Sequence, residues 1–247
     1  MTNLLLVMLG WFTGGFVNGL AGFGAAMVAM PLIASFIDFS LAVPSCVLIV
    51  LTLNCQVGWD FRHDIEFRYI KGVLIGALPG VVLSAIFLPF IPENGLKGGM
   101  GIFIACYALY SLFFEKSKPG EHIIHPVWGY VTGILSSSLG MAFGFNGPPL
   151  AAYVAYCGCN ARAVKGILGA GFIVTGFFIV TAKASAGLMT ADVIKIWALS
   201  SPAVIAGSKL GILLSSRLSE QKFRILLFIA LAAMGIRIAW SALLWVP

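Results

Sequence analysis

The sequence predicts an all-α, polytopic membrane protein arranged as two inverted repeats, and three observations carry that reading. The first is composition: 60% of the 247 residues are hydrophobic and only 10% are charged. Soluble domains carry roughly 45–50% apolar and about 25% charged residues, so too little polar side chain remains here to coat a water-facing fold. The second is a succession of eight long apolar blocks separated by polar loops. The third is that two of these blocks are overlong and broken by Gly and Pro at matching places. The ten-residue alternations of a transmembrane β-barrel are missing. The net charge of +6 is scattered between apolar segments instead of forming one stripe, which argues against a nucleic-acid partner.

The apolar blocks cover residues 4–36, 42–58, 69–91, 96–114, 127–157, 164–188, 194–215 and 223–246. Six of them have lengths near the ~17–25 residues that cross a bilayer as one helix. The first block has 33 residues. As a single helix it would reach about 50 Å, against a hydrocarbon core of about 30 Å. Its middle holds Gly14, Gly15, Gly19, Gly22 and Gly24; the fifth block holds Gly133, Gly140, Gly144, Gly147, Pro148 and Pro149. Each therefore reads as two half-helices meeting inside the membrane. Non-helical backbone is tolerated there only where protein or a water-filled cavity satisfies it.

Sliding residues 10–36 by 118 positions lays them on residues 128–154 without gaps. Gly15 then meets Gly133, Gly22 meets Gly140, Pro31-Leu32 meets Pro149-Leu150, and Ala34 meets Ala152. Each copy opens a set of one long block and three ordinary ones, with the polar residues 115–126 between the sets. The predicted repeats are residues 1–118 and 119–247. Interrupted segments at corresponding places in two halves are the best sequence pointer to a transporter binding site.

Charge bias tests how the long blocks run. If each crosses once, Lys and Arg divide seven against six between the two sides. If each returns to the side it entered, Arg62, Arg68, Lys71, Lys116, Lys118, Arg162, Lys165, Arg217, Lys222 and Arg224 collect on one side. Lys97, Lys183 and Lys195 stay opposite, and ten against three is the asymmetry of the positive-inside rule. Both termini are then expected on the non-cytoplasmic side of the cytoplasmic membrane. Re-entrant hairpins and pairs of short passes give the same parity. The opening Met1-Thr2-Asn3 lacks the charged region of a cleavable signal peptide. Cys46, Cys55, Cys106, Cys157 and Cys159 lie in or beside apolar runs without zinc-site spacing, and read as small buried hydrophobes.

A helix that starts inside the membrane presents unsatisfied N–H groups and the positive end of its dipole to the interior, an anion site that needs no charged side chain. In the second copy Asn146 or Gly147 suits the N-cap and Pro148 the first helical position, with Gly144 and Phe145 just before. In the first copy the turn is Gly22-Phe23-Gly24, leading into Ala25, with Asn18 upstream. Close helix packing by small residues is the competing account of these glycines. Ser136-Ser137-Ser138 aligns with Asn18-Gly19-Leu20, placing polar donors ahead of both breaks, although membrane serines often bond their own backbone. Arg237 lies near the middle of the last block, where an ionisable group is a functional candidate, and Lys209 is a weaker one that can snorkel to the surface. Asn54 and Gln56 fit interfacial solvation as well as ligand contact. The nine acids and three histidines all fall in loops or at block ends, so the usual intramembrane proton relay is lacking. No nucleophile–base pair, metal constellation or cofactor motif is found, which points away from an enzyme.

The stretch Gly15-Phe-Val-Asn-Gly-Leu-Ala-Gly22-Phe-Gly24-Ala-Ala-Met-Val-Ala-Met-Pro31-Leu32 resembles the opening signature of the TauE/SafE sulfite exporter family, also called TSUP. Ala25 and Ala26 stand where further glycines are common. Phe143-Gly-Phe-Asn-Gly-Pro-Pro-Leu150 is similar to the signature of the family's second half, and Ala161-Arg162-Ala163 resembles the basic position that follows it. The similarity continues through Leu78-Pro79-Gly80 and Gly207-Ser-Lys-Leu-Gly211. The resemblance implies transport of small anions such as sulfite, sulfonates or related organic acids.

The expectation is a secondary transporter working by alternating access, with an oxyanion held between the two breaks near the membrane centre. Backbone N–H groups at Gly22–Ala25 and Gly144–Gly147, side chains of Asn18, Ser136–Ser138 and Asn146, and Arg237 would hold it. With a negative cell interior, export gains about 2.3 kcal/mol per negative charge per 100 mV. Uptake would need a coupling ion, a proton or sodium. An anion channel and a non-transporting membrane scaffold are the alternatives, and a homo-oligomer is left open.

Overall fold

The computed structural model describes residues 2–34, 36–60, 62–113, 125–157, 161–215 and 220–244. The readings that rest on Lys116, Lys118, Cys159 and Arg217 lie outside them. Among the described residues there are ten α-helices and no strand. They are α1 (Thr2–Ala21), α2 (Ala25–Ile33), α3 (Phe39–Asp60), α4 (Phe67–Phe87), α5 (Glu93–Phe113), α6 (Val127–Phe143), α7 (Gly147–Tyr156), α8 (Ala161–Ser185), α9 (Ala191–Ser215) and α10 (Glu220–Leu244). The six ordinary apolar blocks each form one helix, and each long block forms two.

Seven of the helices, α1, α3, α4, α5, α8, α9 and α10, are long and apolar enough to cross a bilayer, while α6 has 17 apolar residues. Each long block divides into two helices as expected, and the two are unequal. α1 is of full spanning length, whereas α2 has nine residues and α7 ten. At 1.5 Å per residue the short helices reach only about 14–15 Å, too little to cross. Each returns alongside its partner: Gly10 of α1 faces Ile33 at the end of α2, and Gly14 faces Ala25 and Ala29. Each long block is one long helix followed by a short returning one.

The helices form two compact units. Unit 1 comprises Met1–Ala42, Pro89–Ser117 and Ala198–Pro247; unit 2 comprises Val43–Leu88 and Lys118–Trp197. Each draws helices from both sequence halves.

In unit 1, α1 packs on α9 through small residues. A Cβ added to Gly15 would run into the Val204 carbonyl, one on Gly207 into the carbonyl of Phe12, and one on Gly211 into that of Phe16. The contacts advance in step along both helices, so α1 and α9 run parallel. In the same unit Gly101 meets Gly235 and Ala239, and Gly235 meets Ala105, a crossing that fits antiparallel α5 and α10. Small residues at these seams let backbones approach to contact, which is how helices gain packing energy where lipid supplies no hydrophobic drive between them.

Unit 2 is stitched in the same way. A Cβ on Gly133 would strike the Val73 carbonyl, one on Gly76 the carbonyl of Tyr130, and one on Gly80 would crowd Ile134 and Ser137, so α4 and α6 also run parallel. α3 and α8 pair antiparallel, with Gly58 against Ile173 and Gly176 against Leu51. Val47, Val81, Met141 and Ile179 form a buried cluster joining α3, α4, α6 and α8.

The two seams match position by position. Phe12, Gly15 and Phe16 correspond to Tyr130, Gly133 and Ile134 at the 118-residue spacing read from the sequence. The register fails at the breaks. The helices stop at Gly22–Gly24 and at Gly144–Asn146, so the second stop comes about one turn late. Gly140, the counterpart of Gly22, stays helical and packs against Ile179. Pro31 accordingly lies inside α2, while Pro149 lies in the first turn of α7.

The outer faces of α4 and α10 are apolar and exposed, with Ile75, Val82, Phe87, Leu226, Trp240 and Leu243 among the largest exposed side chains. Such faces suit lipid. At the α3–α4 connection Arg62 lies over the Trp59 ring at 4.6 Å and Arg68 over the Tyr69 ring at 4.5 Å, the amphipathic anchoring seen at membrane–water boundaries.

The seams predict a selective intolerance. Gly133→Val and Gly15→Val should each cost about 1–3 kcal/mol through overpacking against backbone that cannot yield, read as a lower Tm in detergent. Gly98→Ala, whose Cβ would meet only the Ala242 methyl at 3.3 Å, should change Tm little.

Candidate functional site

The second break lies in unit 2 and is sealed. α6 ends at Phe143 because Gly144 takes a left-handed conformation, φ 80°, and its N–H closes the last turn on the Gly140 carbonyl at 3.0 Å. A side chain there would be strained, and a Cβ would also touch the Cys46 sulfur at 2.7 Å. Residues 143–148 are all buried, so each carbonyl freed by the break needs a partner inside the protein. The partners come from three helices. Cys46 Sγ of α3 donates to the Gly144 carbonyl at 3.2 Å, and Ser136 Oγ of α6 donates to the Asn146 carbonyl. Lys183 Nζ of α8 donates to the Met141 carbonyl at 2.9 Å.

Asn146 stands at the N-cap of α7, as expected, but its side chain makes no cap bond. Its Nδ2 donates to Thr175 Oγ1 at 2.8 Å, and that hydroxyl donates onward to the Gly171 carbonyl at 2.7 Å. Phe145 is buried and stacks at a tilt on Phe143, ring centroids 5.6 Å apart. Of the serine triplet, Ser137 bonds the Gly133 carbonyl of its own helix at 2.8 Å and Ser138 reaches the Gly80 carbonyl of α4 at 3.4 Å. Only Ser136 serves the break itself.

The first three positions of α7 are Gly147, Pro148 and Pro149, so only Gly147 carries an N–H. Pro suits the first helical turn because the groups it removes have no intrahelical acceptor. The cost is that this helix start presents one donor where three are usual.

The first break lies in unit 1 and is open. Gly22 and Gly24 have φ 82° and 95°, and a Cβ at either would meet nothing within 4 Å. Residues 22–24 are half-buried. Gly22 N–H closes α1 on the Asn18 carbonyl at 2.7 Å, and the first intrahelical bond of α2 runs from Val28 N–H to the Gly24 carbonyl at 3.2 Å. Ala25, Ala26 and Met27 therefore start α2 with three N–H groups that have no acceptor within the helix. Asn18 is 7% exposed. This is the arrangement expected of an anion-receiving helix start. It is fuller than the second copy in donors, although the stronger capping signal in the sequence belongs to the second.

Arg237 and Lys209 are both exposed, on α10 and α9 respectively. The residue that sequence reasoning misplaced is Lys183. Its charge reads in sequence as a loop charge, but it sits inside α8 at 5% exposure. Its nearness to the block end hid it; the one available signal was that the helix continues to Ser185 beyond it. Thr175 and Cys46 were missed because their role depends on contacts between helices.

Removing the Asn146 partner should destabilise the sealed break. Thr175→Val leaves a buried amide unpaired and should cost about 1–3 kcal/mol, measured as a drop in detergent Tm, whereas Thr175→Ser should stay near the parent value.

Comparison with curated proteins and with solved structures returned no match. The family profile described as "Sulfite exporter TauE/SafE" matches residues 6–238, nearly the whole chain and including both breaks. With helices built to cross a membrane and that match along its length, the chain belongs to the TauE/SafE sulfite exporter family.

Proposed function

We propose that the protein is a secondary transporter, not an enzyme, that exports a small oxyanion, sulfite or an organosulfonate, across the cytoplasmic membrane by alternating access. The observation that carries this reading is the open first break, where three N–H groups at the start of α2 face a half-buried turn beside Asn18. Such donors stabilise negative charge without bringing a fixed cation into the membrane.

The reading includes two inverted repeats, residues 1–118 and 119–247. Successive spans alternate in direction, so with α2 returning, α4 opposes α1. Since α4 lies parallel to α6, the second half starts in the opposite direction to the first. The reciprocal seams support this, because the first helix of each half pairs with the fourth helix of the other. Burial of Lys183 sharpens the charge bias to ten against two, which supports the reading that both termini lie outside the cytoplasm. The exposed positions of Arg237 and Lys209 leave backbone dipoles as the main attraction at the first break.

Export of an anion runs down the membrane potential and needs no coupling ion. Saturable, trans-stimulated flux separates a carrier from a channel. Proteoliposomes loaded with sulfite should release it faster than empty-vesicle controls, with acceleration by external sulfite; flux no faster than those controls would defeat the proposal. Ala26→Pro removes one donor at a position where proline is tolerated, and should raise the KM for sulfite about threefold to tenfold while Tm changes little.

A further inference from the structure

We propose that Lys183 provides the positive charge with which the second break holds the transported anion. The inference rests on the transport reading above and assigns to that function a residue outside the sequence-derived set. Its starting point is the contrast between the two helix starts: three N–H groups at α2, and one at α7 because Pro148 and Pro149 have none. The second break is therefore short of backbone donors for an anion. Lys183 makes up the shortfall.

Its ammonium carries three donors, and one is spent on the Met141 carbonyl, three residues before Gly144. No carboxylate pairs with it among the described residues, where the ion pairs are Arg68–Glu66 and Lys97–Glu93. At 5% exposure it has little access to solvent. A buried cation without an opposite charge is costly, and ionisable groups inside membrane segments are kept where they pair with something or carry a function. The dipole at the end of α6 offsets part of that charge. The other two donors fit an oxyanion, which accepts several hydrogen bonds at once. Polar groups on the same stretch of chain, the Asn146–Thr175 pair and the Ser136 hydroxyl, hold the break rigid beside it.

The test separates charge from structural support. Lys183→Gln keeps a donor for the Met141 carbonyl and loses the charge, and Lys183→Arg keeps both. With sulfite as the probe, flux into proteoliposomes should show KM raised at least tenfold for the Gln variant and within threefold of the parent for Arg. The sulfite-induced rise in detergent Tm should vanish in the Gln variant, whatever its Tm without sulfite. A Gln variant with KM and sulfite-induced shift within twofold of the parent overturns the assignment and leaves the transport reading standing. A parent protein with neither flux nor shift removes both. If the Gln variant does not fold, a structure of the parent protein with sulfite decides: density within 3.5 Å of Lys183 Nζ supports the assignment, and a bound anion elsewhere overturns it.

Discussion

Hydrocarbon offers no hydrogen bonds, and every other feature of this fold answers to that fact. A helix satisfies its own backbone, so a chain can cross the bilayer as often as its apolar length allows. A helix that stops inside the membrane leaves four N–H or four C=O groups exposed to a medium that cannot accept them. This chain turns back on itself twice, after α1 with residues 22–24 half-buried and after α6 with residues 143–148 buried in protein. What surrounds each stop, including the glycine seams, the returning short helices and the donors borrowed from neighbouring helices, is the cost of those interruptions met in protein instead of water.

The two stops meet the constraint differently. At the second, α3, α6 and α8 each lend a side chain to a freed carbonyl, and prolines remove amide hydrogens that would otherwise lack acceptors. The result is a buried turn in which the carbonyls of Met141, Gly144 and Asn146 each accept a side-chain hydrogen bond. At the first, the amide hydrogens remain, the glycines are flanked by open space, and the turn is half-buried. One break thus keeps an open turn with its helix-start amide hydrogens, and the other a buried turn with a lysine on one of its carbonyls.

Much of this was legible in the residues. Apolar length gives the helices within a few residues, because the energy of moving a side chain into lipid dominates most local preferences. The glycines that end α1 and α6 could be found because left-handed backbone leaves few other choices. Gly15 and Gly133, which the 118-residue spacing pairs, each meet a neighbouring backbone closely. The exact stopping points were not legible. Gly22 and Gly140 are equivalent in sequence, yet one ends a helix and the other packs against Ile179, a choice made by neighbours distant in the chain. Lys183 was hidden for a related reason. A lysine near the end of an apolar run has the same appearance in sequence whether its head reaches water or a carbonyl, and only the α6 end brought beside it decides. Of the cysteines read as buried, Cys46 and Cys157 are, while Cys55 and Cys106 are exposed; the donor role of Cys46 was hidden because its acceptor lies 98 positions away.

The exchanged seams also govern how the protein can be made. Gly15 of α1 finds its backbone partner at Val204, which the ribosome delivers only after about three quarters of the chain is already in the bilayer. Until then the small-residue stripe of α1 lies against lipid or a temporary neighbour. Topology is consequently settled long before the first helix is locked, and insertion machinery must tolerate a nascent bundle whose earliest segment waits for a helix made late in synthesis.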